Sequence, residues 1–423
     1  MLWKLRYWRL LIKRLAYNLI PVSLRSTTPS PQSGEGGGAE AKKTIDLQPE
    51  ISEMEKPKAN EAIESAKKQS AMQHLKIYNK ADVLSLTKIR RFETKLGERL
   101  QVVQDSSDIA RSIATSTARY ILFGIPEDLG AKGNLGIGGT DTLWIPFLQS
   151  FLNIQSNDFF DGGEILLLGH FDFGDIQYLI DTTAKTDEEK VEAYRHAVNT
   201  IDDEVEHLAK LITEAKKIPV VIGGGHNNSY PLIKGTAKGW HKAGVLQLAQ
   251  INCINLDAHA DYRPMEGRHS GNAFRYAEED GYLQKYCIVG LHENYLPQNV
   301  WMDIVNNPFI DCITFEDIFV HEKRTFMQSV AHATGFTEDT LTGIDVDIDC
   351  IEHTLSSAMT PVGILPIHAR QYISFVAADS KPAYLHICEG ATRLTDGRTD
   401  ATSGKLVSYL VSDFVKARES VNQ

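Results

Sequence analysis

No two cysteines in this chain are spaced as CxxC, and the five present (Cys253, Cys287, Cys312, Cys350 and Cys388) are odd in number. That pattern offers neither a disulfide framework nor a zinc ribbon, and thiols set in apolar runs suit a reducing compartment. Positive charge is also scarce, with 44 Lys and Arg against 55 Asp and Glu, a net charge of −11. Such a balance argues against nucleic acid as a partner, because phosphate contacts need a basic face. Neither GK[ST] nor GxGxxG occurs, which removes the common phosphate and dinucleotide loops. No internal repeat is visible, and no stretch reads as a stable membrane span.

Acidic residues are absent from the first 34 positions, where Lys4, Arg6, Arg9, Lys13, Arg14 and Arg25 alternate with Leu, Ile, Trp and Tyr. The remainder of the chain therefore carries −17. A basic, acid-poor opening reads as an amphipathic surface helix or a transit peptide. It reads equally as an upstream extension, with Met72 the working initiator. Residues 26 to about 71, including STTPSPQSGEGGG, are polar and rich in Pro and Gly, the composition of a disordered linker. The expected organisation is thus a basic segment and linker over 1–71 and one catalytic domain over 72–423. The expected location is the cytoplasm, or an organelle if residues 1–34 are a transit peptide.

From Tyr78 onward, short apolar runs end in Gly, Asp or Glu. These are YILFG (120–124), EILLLG (164–169), IPVVIGGG (218–225), INCINLD (251–257), YCIVG (286–290) and AYLHICEG (383–390). Between two of them, Asp187 to Lys217 repeats apolar residues every three or four positions, which predicts a helix. Strands without alternation, separated by helices, predict a mainly parallel sheet covered on both faces. Ligands of such sheets bind beyond the carboxyl ends of the strands.

Three clusters fall at those ends. NLDAHADYR sets Asp257, His259 and Asp261 at alternate positions after a buried run, which on an extended chain puts them on one face. IGGGHNNSY turns sharply on three glycines and presents His226. GIDVDIDCIE carries Asp345, Asp347 and Asp349, an expensive row of like charges unless a cation neutralises it. Carboxylates with a minority of imidazoles suit Mn²⁺ better than zinc. Their number suits two ions with shared carboxylates.

In that order, GGGH, DAHAD and the late DxD resemble the ureohydrolase family of arginases, agmatinases and formimidoylglutamases. The resemblance runs from Met72 to the C-terminus. It implies an arginase-like three-layer α/β/α fold with two Mn²⁺ per chain. The matching motifs place His226, Asp257, Asp261 and the first Asp of DxD on one ion. Asp257, His259 and both Asp residues of DxD fall on the other. DIDCIE fits the family's DxDxxDP spacing, with Glu352 in the third acidic place and no proline. This assigns Asp347 and Asp349, rather than Asp345 and Asp347, and sets Thr360-Pro361 near the family's T-P. An ion pair of this kind acidifies a shared water, which can then attack an amidine carbon and expel an amine.

The resemblance also implies further roles. Glu389, closing the strand AYLHIC, matches the glutamate that holds the amidine, an acid suited to paired charge-assisted hydrogen bonds. His269, in RHSGNAFRYA, lies where relatives carry a catalytic histidine before Gly, although Ser270 intervenes here. Arg263 follows the metal motif as in formimidoylglutamases, and Arg268 and Arg275 flank His269. Three arginines at the mouth of an acidic protein predict an anionic amidine, N-formimidoyl-L-glutamate, as the small-molecule substrate. The alternatives are a guanidino hydrolase acting on arginine, agmatine or a guanidino acid, and a non-catalytic metal-binding member of the fold. A homo-oligomer is compatible with all of these. Deacetylases of similar architecture favour a single zinc and fit the paired motifs poorly.

Overall fold

The structure, a computed structural model, describes residues 72–421; the basic segment and linker expected over 1–71 lie outside the described residues. Ten strands form one sheet: β1 (Leu75–Ile77), β2 (Gln101–Val102), β3 (Tyr120–Gly124), β4 (Ile165–Phe171), β5 (Ile218–Ile222), β6 (Ile251–Leu256), β7 (Leu283–Leu291), β8 (Ile310–Thr314), β9 (Thr342–Asp347) and β10 (Pro382–Cys388). Their order is β1-β4-β3-β5-β10-β9-β6-β7-β8, with β2 beside β4. Only β1 runs antiparallel to its neighbour. The six runs singled out in the sequence are β3, β4, β5, β6, β7 and β10.

Alternation within each strand feeds two separate cores, which is why the strands read as continuously apolar. Tyr120 and Leu122 of β3 pack into one core with Trp144, Phe147, Tyr372 and Phe414. Ile121 and Phe123 enter the other with Val198, Leu208, Trp240 and Phe274. The layers are helices, sheet, helices, as the sequence implied. One helical layer pairs Asp187–Glu214 with Ser229–Lys242, and the other pairs Pro366–Asp379 with Ser403–Val421.

The long helix begins at Thr186, whose hydroxyl accepts the Glu189 N–H, and has Asp187, Glu188 and Glu189 in its first turn, where the helix dipole favours acids. It stops at Glu214, short of the expected Lys217, because Lys216 takes φ +58 and turns the chain into β5. Among the described residues, no helix is long and apolar enough to cross a membrane.

Strands β5, β10, β9 and β6 are neighbours at the centre of the sheet. Chain order reverses across them: β3 and β4 lie beyond β5, and β7 and β8 lie beyond β6. A crevice opens where connections diverge in this way. The carboxyl ends of these four strands and the loops that follow carry His226, Glu389, Asp347 with Asp349, and Asp257 to Asp261.

Candidate active site

After β5 the chain must turn at once and bring His226 back over the sheet. Gly223 and Gly224 supply φ +90 and +75. A Cβ on Gly224 would lie 2.4 Å from Asn228 Nδ2 and 2.7 Å from the Ile125 carbonyl, so no other residue fits without displacement. Glu127, which follows β3, braces the turn. Its carboxylate accepts the N–H groups of Gly225 (2.9 Å) and Gly130 (3.1 Å) and the Asn228 amide (2.8 Å). In the sequence, Glu127 is marked only as an acid placed near a strand end.

The second cluster is built differently from the expectation. Strand β6 ends at Leu256, so Asp257, His259 and Asp261 lie on the following loop and not on one strand face. Asp257 turns back on its own chain, where Oδ1 accepts the His259 N–H at 2.6 Å. Asn255 supports the other oxygen at 2.8 Å. Asp261 reaches the cluster from a left-handed backbone, φ +44, a strain that the surrounding contacts must hold. The third cluster likewise leaves its strand: β9 ends at Asp347, and Asp349 sits in a one-turn helix, Ile348–Cys350. Asp345 and Asp347 therefore share one face of β9, and Asp349 lies beyond the strand.

These loops bring together all six residues expected to ligate metal, in two groups. His226, Asp257, Asp261 and Asp347 form one, and Asp257, His259 and Asp349 form the other, with donor atoms in each group within 4.8 Å of one another. His226 Nδ1 lies 3.3 Å from Asp257 Oδ2, 2.8 Å from Asp261 and 3.2 Å from Asp347. His259 Nδ1 lies 3.6 Å from Asp257 Oδ1 and 3.2 Å from Asp349. Asp257 thus turns one oxygen to each group. Asp347 joins only the first group, whereas the resemblance shared it between both.

Electrostatics at the cluster follow from the missing countercharge. Among the described residues, the ion pairs of these carboxylates are with His226 and His259 rather than with Lys or Arg. Burial, with Asp349 and Asp257 beside it, pushes the Asp347 carboxyl well above its usual range. Burial works the other way on the imidazoles, yet the carboxylates around His226 and His259 raise both well above 6.5. Asp349 Oδ1 is buried without a hydrogen-bond partner. Four carboxylates and two imidazoles at the closed end of a cavity are a donor set that fits divalent cations favouring oxygen.

Above the cluster lies a cavity of about 140 Å³. Asp261, Asp347, Asp349 and His259 floor it, and Glu389 and Arg263 line it. Glu389 is 5% exposed and takes φ +59, and its Oε1 accepts the His226 N–H at 2.8 Å. Burial pushes its carboxyl up to about 8. Arg263 is half exposed, with Glu266 at 3.3 Å.

Asn134, Ser270, Tyr295 and Ser357 complete the polar wall, and sequence reasoning missed all four as cavity residues. Their loops carry no metal-type motif, so nothing local marked them. Tyr295 stacks its ring on His259, centroids 5.1 Å apart.

Three expectations need correction. His269 does not line the cavity. It is fully buried, its Nδ1 accepts the Gly271 N–H at 3.2 Å, and Asn272 lies 3.0 Å from Nε2. It caps the turn that presents Ser270, which does reach the cavity. Arg268 is buried in a bidentate pair with Asp202 (2.8 and 3.2 Å), its guanidinium over the rings of Tyr230 and Tyr276. Arg275 pairs with Asp303 and stacks on Tyr262. The arginine cluster inferred from sequence therefore reduces to Arg263.

A three-layer α/β/α protein with paired donor groups at the carboxyl edge of its sheet is the class that this geometry defines. Within that class, the chain belongs to the arginase family, whose model matches residues 118–411. Among curated relatives, a formimidoylglutamase of Streptococcus gordonii is 24% identical over 225 residues, 50% of this chain and 66% of the relative. One from Macrococcus caseolyticus is 27% identical over 227 residues, 53% of this chain and 68% of the relative. Of solved structures, Trypanosoma cruzi formiminoglutamase with Mn²⁺ superposes with a TM-score of 0.57 at 19% identity, covering 77% of this chain and 98% of that one. Bacillus subtilis formimidoylglutamase gives a TM-score of 0.58 at 16% identity, covering 79% and 94%.

Proposed function

We propose that the chain hydrolyses a C–N bond in a linear amidine, converting N-formimidoyl-L-glutamate and water to L-glutamate and formamide. The observation that carries this reading is the pair of donor groups joined by Asp257, one oxygen toward each, whose members His259, Asp261, Asp347 and Asp349 floor a cavity lined by Arg263 and Glu389. Relatives bearing the formimidoylglutamase name support the substrate choice.

Two Mn²⁺ ions suit the donors: His226, Asp257, Asp261 and Asp347 would hold one, and Asp257, His259 and Asp349 the other. When bound, such a pair supplies Lewis acidity and a water acidified to near-neutral pKa. The protein's own groups do the rest. Glu389 has one oxygen committed to the His226 N–H and offers the other to an amidine N–H, fixing the reacting carbon over the donor groups. Arg263 meets a carboxylate of the substrate with its planar fork. His269 acts through the turn it caps and not as a proton carrier in the cavity.

The test is product analysis with the Mn²⁺-loaded full-length chain, offering N-formimidoyl-L-glutamate beside arginine, agmatine and guanidinobutyrate. Formamide release that outpaces urea release from every guanidino compound is the expected result. Faster urea release would give the site to a guanidino substrate.

A further inference from the structure

Beneath His226 lies a fully buried polar network that none of the roles above uses. Asp345 sits at its centre, on β9, aligned across the sheet with His386 of β10. Its Oδ1 accepts from the Ser229 hydroxyl at 2.5 Å and lies 3.0 Å from His386 Nδ1. Its Oδ2 accepts from the Tyr384 hydroxyl at 2.7 Å and the Cys253 thiol at 3.1 Å. Ser229 is the first residue of the helix Ser229–Lys242, so the carboxylate also faces the favourable end of a helix dipole. Gly343 admits the Tyr384 ring alongside β9, since a Cβ there would lie 2.5 Å from that ring.

Four groups drawn from two strands and a helix thus converge on one carboxylate in a place where an isolated charge would be very costly. A packing role alone would be met more cheaply by an apolar side chain. His226 borders this network without a hydrogen bond, its Nε2 lying 3.6 Å from Asp345 Oδ1. The opposite ring nitrogen, Nδ1, is the one that faces Asp257, Asp261 and Asp347. A carboxylate behind the far nitrogen of a ligating histidine keeps the proton on that nitrogen, fixes the ring's orientation and strengthens the near nitrogen as a donor.

We propose that Asp345 is a positioning residue for His226, held in place by Ser229, Tyr384 and His386, and that it tunes the affinity of the first donor group for its cation. The proposal rests on the reading of that group as a metal site. It predicts an asymmetry: loss of Asp345 weakens the ion at His226 and spares the ion at His259, whose ring Asp345 does not face.

The test is a titration of the metal-free full-length protein with Mn²⁺ alone, followed by electron paramagnetic resonance, for the natural chain and D345N. Natural protein should bind two ions and develop a spin-coupled signal. D345N should bind one ion with near-natural affinity and the second about tenfold to a hundredfold more weakly, so that the coupled signal appears only at higher metal. S229A and Y384F, which keep the carboxylate and remove one donor each, should move the same ion less. Natural affinity for both ions in folded D345N overturns the proposal. If D345N does not fold, natural affinity in both S229A and Y384F overturns it. Should the natural chain bind fewer than two ions, the reading of the metal groups falls instead.

Discussion

Asp257 is the residue on which the two donor groups depend, since it alone faces both. Asp257→Ala should therefore leave close to no Mn²⁺ on the protein, whereas Asp261→Ala, which belongs to one group, should retain about one ion per chain; elemental analysis after gel filtration distinguishes them. Arg263→Ala should keep both ions and raise KM for N-formimidoyl-L-glutamate. One charge-assisted pair in a partly desolvated cavity is worth about 1.5–3 kcal/mol, roughly tenfold to a hundredfold in affinity. Lysine should rescue it only in part, because it lacks the fork. Unchanged KM in R263A would mean that the pair with Glu266 is structural.

His269 gives a prediction of another kind. Burial and the nearby Arg195 push its pKa down to about 4, below the ordinary 6.5, so the unfolded chain takes up a proton before the folded one does. Its contribution to stability is then whole above about pH 6.5 and is lost as pH falls from there towards 4. Thermal unfolding across that window should show a shallower loss of stability in H269N than in the natural chain. Parallel slopes would count against a neutral, buried imidazole. At this scale the six metal-type residues and Glu389 were legible in the sequence, because acids and histidines at the ends of apolar runs are conspicuous. His269 was misplaced because a one-residue shift, with Ser270 before Gly271, decides which side chain the turn presents. Arg268 and Arg275 misled because their partners, Asp202 and Asp303, are distant in sequence.

At the scale of elements, strand positions were readable from apolar runs and their glycine or acid endings. Strands β1, β2 and β8 were not, being short or less apolar, and they lie at or near the sheet's edges. The geometry of the loops was also hidden. Period-two spacing in DAHAD suggested a continued strand, but β6 stops at Leu256 and the convergence comes from a loop with a left-handed Asp261. The turn after β5 is the element on which His226 depends. Gly224→Ala adds a Cβ at φ +75 against Asn228 and the Ile125 carbonyl. It should cost about 1–3 kcal/mol of stability and lower Mn²⁺ affinity, measured by chemical denaturation and metal titration. An alanine variant with natural stability and metal content would show that the turn relaxes at no cost.

For the whole molecule, the order of the central strands is what makes three motifs, spread over more than 100 residues of sequence, into one site. That order was not legible in the sequence, which gave strands and helices but no adjacency. The resemblance supplied the fold, and the sheet then explained why the motifs meet. The composition of residues 1–71 offers no expected ligand and no core, so a chain beginning at Met72 should fold and bind metal as the full-length protein does. Insolubility or loss of metal in that truncation would assign part of the segment to the domain.

Formamide release tests the proposed manganese-dependent amidine hydrolysis most directly. Full-length protein stripped with chelator and reloaded with Mn²⁺ should release formamide and L-glutamate from N-formimidoyl-L-glutamate in equal amounts. Activity should be absent in the stripped protein and should saturate near two ions per chain. Equal rates with and without metal, or no formamide from fully loaded protein, would contradict it.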